Sequence, residues 1–341
     1  MSVIVALGVA FVTAPLALAQ QENSYVHTES IGASNLVKCP TEPLTFLPID
    51  CWVGKKIVFL PKRMSSQEHG YFDLQKVEVA GAESVVSQKP KKKRRTPKKP
   101  AAPQPPIPRG VPYAEVVGQV GTIVEIQENP MGVGMVARQA IVDIEGGKRY
   151  SSRVNGLFAG EESIPDTVFV EDLEAAKEKW LGKTLWFKSR RAMTYDANTD
   201  KIGFFEVENY SPVEIVEIVA GWYTQSPIRF IFRTTGDAVG FIDVNLSGTN
   251  ISTILRDNSL FDQYFSEIDP REQHDWSPRV WSAIEQRRVF VGMTSLQALM
   301  SWGKPKKVNK TTTEGTVREQ WVYGANSYVY ITKGEVSAIQ N

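Results

Sequence analysis

A short opening, Trp-x-Gly-Lys, occurs twice in this chain. Trp52-Val53-Gly54-Lys55 runs into KIVFLPK, and Trp180-Leu181-Gly182-Lys183 runs into TLWFKSR. The apolar residues that follow alternate at period two, the pattern of a strand with one buried face. Ile123-Val124-Glu125-Ile126 recurs as Ile215-Val216-Glu217-Ile218. A strand-like run carrying a glycine turn follows in each copy, AIVDIEGG at 140–147 and FIFRTTGD at 230–237. A third match pairs 169–180 with 265–276, acidic polar segments of equal length that end in tryptophan. Matches in one order imply an internal duplication. The first pair is offset by 128 residues and the second by 92, so the first copy holds 36 extra residues.

That excess falls on a basic, proline-rich stretch, KPKKKRRTPKKPAAPQPPIPRG. Residues 88–110 carry nine basic side chains, seven prolines and no acid, so in a chain of net charge +1 the remainder stands at −8. Like charge and proline prevent burial of apolar surface, so the stretch reads as a solvated insertion in a small β domain. Each copy offers about five short strands, the mark of a small closed or half-closed barrel. The Trp-x-Gly-Lys opening and the strand-loop-strand plan resemble bacterial SH3-like domains. The expected plan is a lead-in at 20–49, a first SH3-like β domain at 50–174 with its insertion at 88–110, and a second at 178–268.

The C-terminal stretch reads differently. Thr294 is an N-cap for the helix SLQALMSW, Gly303 ends it and Pro305 blocks its continuation. Leu296, Leu299 and Met300 share one helical face. Strands are expected at 318–323, 327–332 and 335–340, with turns at Gly324 and at Lys333-Gly334. A preceding helix and this one would cover one face of a three-stranded sheet. The fold class is thus mainly β with a C-terminal α+β module at 276–341. Gly292-Met293-Thr294, then Trp302-Gly303 with Pro305, then Trp321 with Tyr323, then Gly334, resemble the small outer-membrane lipoprotein family, which is BamE-like and β-lactamase-inhibitor-protein-like. The resemblance implies a non-catalytic envelope module that contacts proteins. The chain departs from that family in having no lipidated cysteine and in placing the module at the end of a longer protein.

Residues 3–19 carry no charge and close on Ala17-Leu18-Ala19, a small-x-small cleavage pattern, so 1–19 reads as a signal peptide. No lysine or arginine precedes the run, and an uncleaved anchor is the alternative. Either way the body is exported, to the periplasm or cell surface of a bacterium. The two cysteines, Cys39 and Cys51, suit an oxidising compartment. They are either bridged or both reduced.

No catalytic constellation stands out. His27, His69 and His274 lack a second ligand at metal spacing. The two cysteines precede the first domain, leaving no partner base for a thiol nucleophile. Met131-Gly132-Val133-Gly134-Met135 lacks the third glycine of a phosphate cradle. Glu171, Asp172 and Glu174 read as a solvated segment. No metal or cofactor is implied. Lys91, Lys92, Lys93, Arg94, Arg95, Lys98 and Lys99 are the candidates for attraction to an anionic surface, and export argues against nucleic acid. Trp186, Trp222, Trp302 and Trp321 fit core positions, and Trp276 and Trp281 flank the entrance to the last module. The function expected is a non-catalytic envelope binding or scaffold protein, whose partner is an envelope protein, a wall polymer or an anionic membrane. The alternatives are a cell-wall-active hydrolase with an unrecognised site and a structural spacer.

Overall fold

The computed structural model describes residues 38–77, 110–130, 136–156, 162–250, 260–313, 315–324 and 326–341. The expected signal peptide, the 88–109 part of the basic insertion, His27 and the 131–135 glycine loop lie outside them. The described chain is mainly β, in three antiparallel sheets of six, seven and four strands.

The first sheet is built from β1 (Lys56–Phe59), β2 (Leu74–Val77), β3 (Val120–Pro130), β4 (Val136–Ile144), β5 (Lys148–Val154) and β6 (Thr167–Phe169), in the order β2-β5-β4-β3-β1-β6. Single turns of helix, α1 (Met64–Gln67) and α2 (Tyr113–Val116), lie in its loops. The second sheet holds β7 (Thr184–Phe187), β8 (Arg191–Asp196), β9 (Lys201–Glu206), β10 (Ser211–Tyr223), β11 (Ser226–Thr234), β12 (Val239–Val244) and β13 (Phe265–Ser266). Its order from the opposite edge is β9-β8-β12-β11-β10-β7-β13. With β9 set aside, the chain threads both sheets identically.

The local geometry repeats as well. The amide of Gly54 donates to the Ile123 carbonyl (2.7 Å), and that of Gly182 donates to Ile215 (2.8 Å). Ile123 and Ile215 in turn donate to the Lys55 and Lys183 carbonyls, at 2.9 and 3.0 Å. Each long strand then carries a bulge at one place, between Ile123 and Glu125 and between Ile215 and Glu217. A bulge adds twist and bends a strand, so both sheets curl at the same point. The tryptophans that open the motif plug their own cores: Trp52 meets Phe169 edge-on at 5.5 Å, and Trp180 meets Phe230 at 5.6 Å.

Neither sheet closes into the expected barrel. Among the described residues no ladder joins the outer strands, β2 to β6 or β9 to β13. The third sequence match also fails structurally. Val170–Trp180 is helix α3, whereas 265–276 is the two-residue β13, a bend, and the short α5 (Pro270–Gln273) that follows α4 (Leu260–Tyr264). Equal length and acidity fixed no common conformation. Helix α3 spans the boundary expected at 174–178. It buries Leu173, Ala176 and Trp180 in the core of the second sheet, beside Leu60 and Val168 from the first.

The last module is α6 (Pro278–Glu285), α7 (Ser295–Trp302), then β14 (Lys307–Thr313), β15 (Thr316–Val322), β16 (Tyr328–Thr332) and β17 (Glu335–Gln340) in sequential order. The sheet has four strands rather than three. The unforeseen first one, KVNKTTT, is an edge strand of mostly polar residues that pairs along its length with β15. Trp281, Ile284, Met293, Trp321, Val329, Ile331 and Val336 form the core between helices and sheet.

Candidate functional site

The family-motif residues converge. Thr294 caps α7 in a reciprocal box with Gln297, which satisfies two of the free amides at a helix start. Gly292 and Gly303 have φ of 95° and 80°, Met293 is fully buried, and Ser295 donates to the Gly334 carbonyl at 2.9 Å. Trp302 stands perpendicular to Tyr323 at 5.2 Å, and the Tyr323 hydroxyl donates to the Gly303 carbonyl at 3.0 Å. Trp321 is buried, with its indole N–H on Glu319 at 2.8 Å. Half-buried Pro305 lies in the α7–β14 connection.

The orientation of α7 corrects the sequence reading. Its inward face is Gln297, Ala298 and Ser301. The face carrying Leu296 and Leu299 points outward, at 46% and 37% exposure, while Met300, which shares that face, packs on the core. Ser301 is drawn inward because its hydroxyl donates to the Arg288 carbonyl at 2.8 Å, and Trp302 donates to Arg287 at 2.8 Å. The helix is docked by hydrogen bonds to the 287–288 loop, and its leucines are left in water. On the far side of the sheet an amide–phenol chain crosses all four strands: Asn309 to Gln320 at 3.0 Å, Gln320 to Tyr330 at 3.1 Å, Tyr330 to Gln340 at 3.3 Å.

A second feature lies where the first two sheets meet. A cleft of about 670 Å3 is bordered by Asn155, Ser163, Asp166, Tyr223, Gln225 and Ser226. Its walls are fixed from below. Buried Asn250 takes the Ile164 amide on its Oδ1 and donates to the Ile164 and Thr167 carbonyls at 3.1 and 2.9 Å. The Asp166 amide donates to Thr224 Oγ1 at 2.7 Å, and the Asp166 carboxylate pairs with Lys62. Trp222 forms the floor, clamped between the Arg229 guanidinium at 3.8 Å and Tyr195 at 4.8 Å. Arg229 is held by a two-point bond to Asp243, at 2.7 and 2.9 Å.

Cys39 and Cys51 are bonded, with Cα atoms 5.7 Å apart. The bridge fastens the lead-in near a small cavity of about 170 Å3 bordered by Leu44, Lys55, Glu171, Asp172 and Thr249. Asp172 is half-buried rather than fully solvated as expected from sequence. It accepts from the Ser247 hydroxyl at 2.5 Å, and burial pushes its carboxyl up to about 6. Glu171, by contrast, meets Lys55 at the surface, and Glu174 pairs with Lys177 on α3.

The histidines stay apart. His69 stacks on Phe72 and His274 on Trp276. Among the described residues no three His, Cys, Asp or Glu side chains gather as a metal site, and no helix is long and apolar enough to cross a membrane. Trp276 packs on Trp281 at 5.1 Å, at the entrance to the last module. Sequence reasoning missed Asn250, Asp166 and Asp200, whose partners lie far away in the chain; the one local signal was polar residues amid loops.

The described chain is a mainly β protein of three antiparallel sheets, with a cleft at the junction of the first two and two exposed leucines on α7. Compared with models of protein families, with curated proteins and with solved structures, the chain matches none.

Proposed function

We propose that the protein is a non-catalytic scaffold of a bacterial envelope that holds a partner protein on its C-terminal module. The single observation behind this reading is the inversion of α7. Gln297 and Ser301 are buried while Leu296 and Leu299 face water. Fully burying an exposed leucine stabilises by roughly 1.5–3 kcal/mol, so a partner that covered the 46% and 37% still exposed on Leu296 and Leu299 would recover about 1–2.5 kcal/mol from the pair. The two larger sheets are copies of one SH3-like unit, supported by their common threading and bulge, and the last module is BamE-like. The disulfide accords with an exported body. The basic residues 91–99 are a further anchoring element, for an anionic membrane or wall polymer.

The test compares the full chain with Leu296→Lys/Leu299→Lys in capture from cross-linked envelope extract. Both side chains are already exposed, so the fold is expected to survive, checked by an unchanged melting temperature. Loss of a discrete captured protein in the double variant is the expected result. The same captured set from both forms would remove α7 as the docking face.

A further inference from the structure

We propose that the cleft at the junction of the first two sheets binds a neutral oligosaccharide, on a surface separate from α7. A sugar ring presents C–H groups on its faces and hydroxyls on its rim. It therefore needs an aromatic plate together with groups that both donate and accept. Tyr223 supplies the plate, at 54% exposure. It is not a loose side chain, because Tyr223 pairs with Ser226 to close the β10–β11 hairpin, and Thr224 in the turn receives the Asp166 amide. Around it stand the amides of Asn155 and Gln225 and the hydroxyls of Ser163 and Ser226. Among the described residues these four side chains have no hydrogen-bond partner.

The charge of the lining narrows the ligand. Asp166 is the one acid at the rim and is balanced by Lys62. The paired carboxylate still accepts from neighbouring hydroxyls, and the described lining holds no lysine or arginine to attract phosphate, uronate or nucleic acid. Arg229, close under Trp222, is spoken for by Asp243 on two bonds, so it is not available to an anionic ligand. One exposed ring beside a Trp222 that is itself buried offers no deep apolar hole for an acyl chain. Pre-formed walls matter as well. Asn250 pins 164 and 167, and Trp222 is locked from two sides, so little ordering cost falls on binding.

The test titrates the full chain with β-1,4-linked tetramers of N-acetylglucosamine and of glucose, and with an anionic galacturonate tetramer, by calorimetry and tryptophan fluorescence. Saturable binding of a neutral tetramer, on the order of 1 mM as expected for a shallow open site, is the predicted result. Tyr223→Ala should weaken it tenfold or more, and Gln225→Ala several-fold, while Phe204→Ala, an exposed aromatic on β9, leaves it unchanged. Should Tyr223→Ala fail to fold, the Gln225→Ala and Asn155→Ala variants decide. No saturable binding of either neutral tetramer, binding indifferent to these substitutions, or preference for the galacturonate would overturn the proposal. Capture by the α7 face is read in a different assay and does not depend on this outcome.

Discussion

Trp52 and Trp180 occupy matching places but differ in one bond. The Trp52 indole N–H donates to the Leu47 carbonyl at 2.9 Å, whereas that of Trp180 is buried with no partner. Removing a paired donor strands its acceptor, and removing an orphan relieves a desolvated group. Trp52→Phe is therefore expected to cost about 1–2 kcal/mol more than Trp180→Phe in urea unfolding. Equal losses would mean that the Trp180 N–H finds a partner in solution. Asp172 poses a different question of charge. Burial raises its carboxyl from 3.8 to about 6, so the folded state holds a proton that the unfolded chain releases. Its contribution is fully present below about 3.8 and is lost as pH rises through about 6. Glu171 and Lys55 act on the same carboxyl in opposite senses. Asp172→Asn should raise the melting temperature at pH 7.5, with the gain shrinking to nothing near pH 4. A gain independent of pH would show that the carboxyl is not the cause. Asp200 shifts the other way, to about 2, because Ser65 and Tyr195 hydrogen-bond its ionised form.

At the level of the element, the repeated opening can be tested by one atom. Gly54 and Gly182 have φ of +86° and +74°, and an added Cβ would meet nothing within 4 Å at either. Alanine there is penalised by backbone alone, about 1–2 kcal/mol for a left-handed residue. Gly54→Ala and Gly182→Ala should thus lose the same amount, measured by chemical denaturation. Unequal losses would imply that the two turns are not equivalent. These openings were legible because a tryptophan, a glycine and alternating apolar residues act locally. So was α7, whose limits at Ser295 and Trp302 follow from Thr294 and Gly303. Its rotation was not legible. Leu296, Leu299 and Met300 do share a face, but periodicity says which residues lie together and not which way they turn. The 287–288 carbonyls, which settle it, belong to another segment. Strand β14 escaped notice because Lys307–Thr313 is polar at a sheet edge and Val308, its one apolar residue, is 39% exposed. Barrel closure failed for a related reason: it depends on whether the outermost strands meet, which no short pattern records. The junction cleft was invisible because it joins residues near 155, 166 and 223.

Across the whole molecule, polar contacts bind the sheets together. Asp200, on the β8–β9 turn, accepts from the Met64 and Ser65 amides, both at 3.1 Å, so a carboxylate from the second sheet caps α1 of the first. Asn250, Thr249 and Ser247 reach back to Ile164, Leu47 and Asp172. The first two sheets also share apolar core through Leu60 and Val168. The last module is tied more narrowly. Asn209, 2% exposed, donates its amide nitrogen to the Met300 carbonyl at 2.7 Å and its backbone N–H to Glu285 at 3.0 Å. Arg287 adds a bond to the Lys188 carbonyl at 3.0 Å. Among the described residues, Tyr210 is the one hydrophobic side chain of the second sheet region packed on the third core. Cooperativity between units depends on such contacts. The parent protein should melt in one calorimetric transition. Asn209→Ala leaves the Met300 carbonyl without its donor at a buried seam, a loss of about 1–3 kcal/mol, and this falls on the link rather than on either core. It should therefore split the melt, with a low-temperature step from the C-terminal module alone. Asn309→Ala, on the open sheet face, should not do so. A variant that melts in one step at a uniformly lower temperature would show that the module shares its stability with the second sheet through packing, and that Asn209 is not the link.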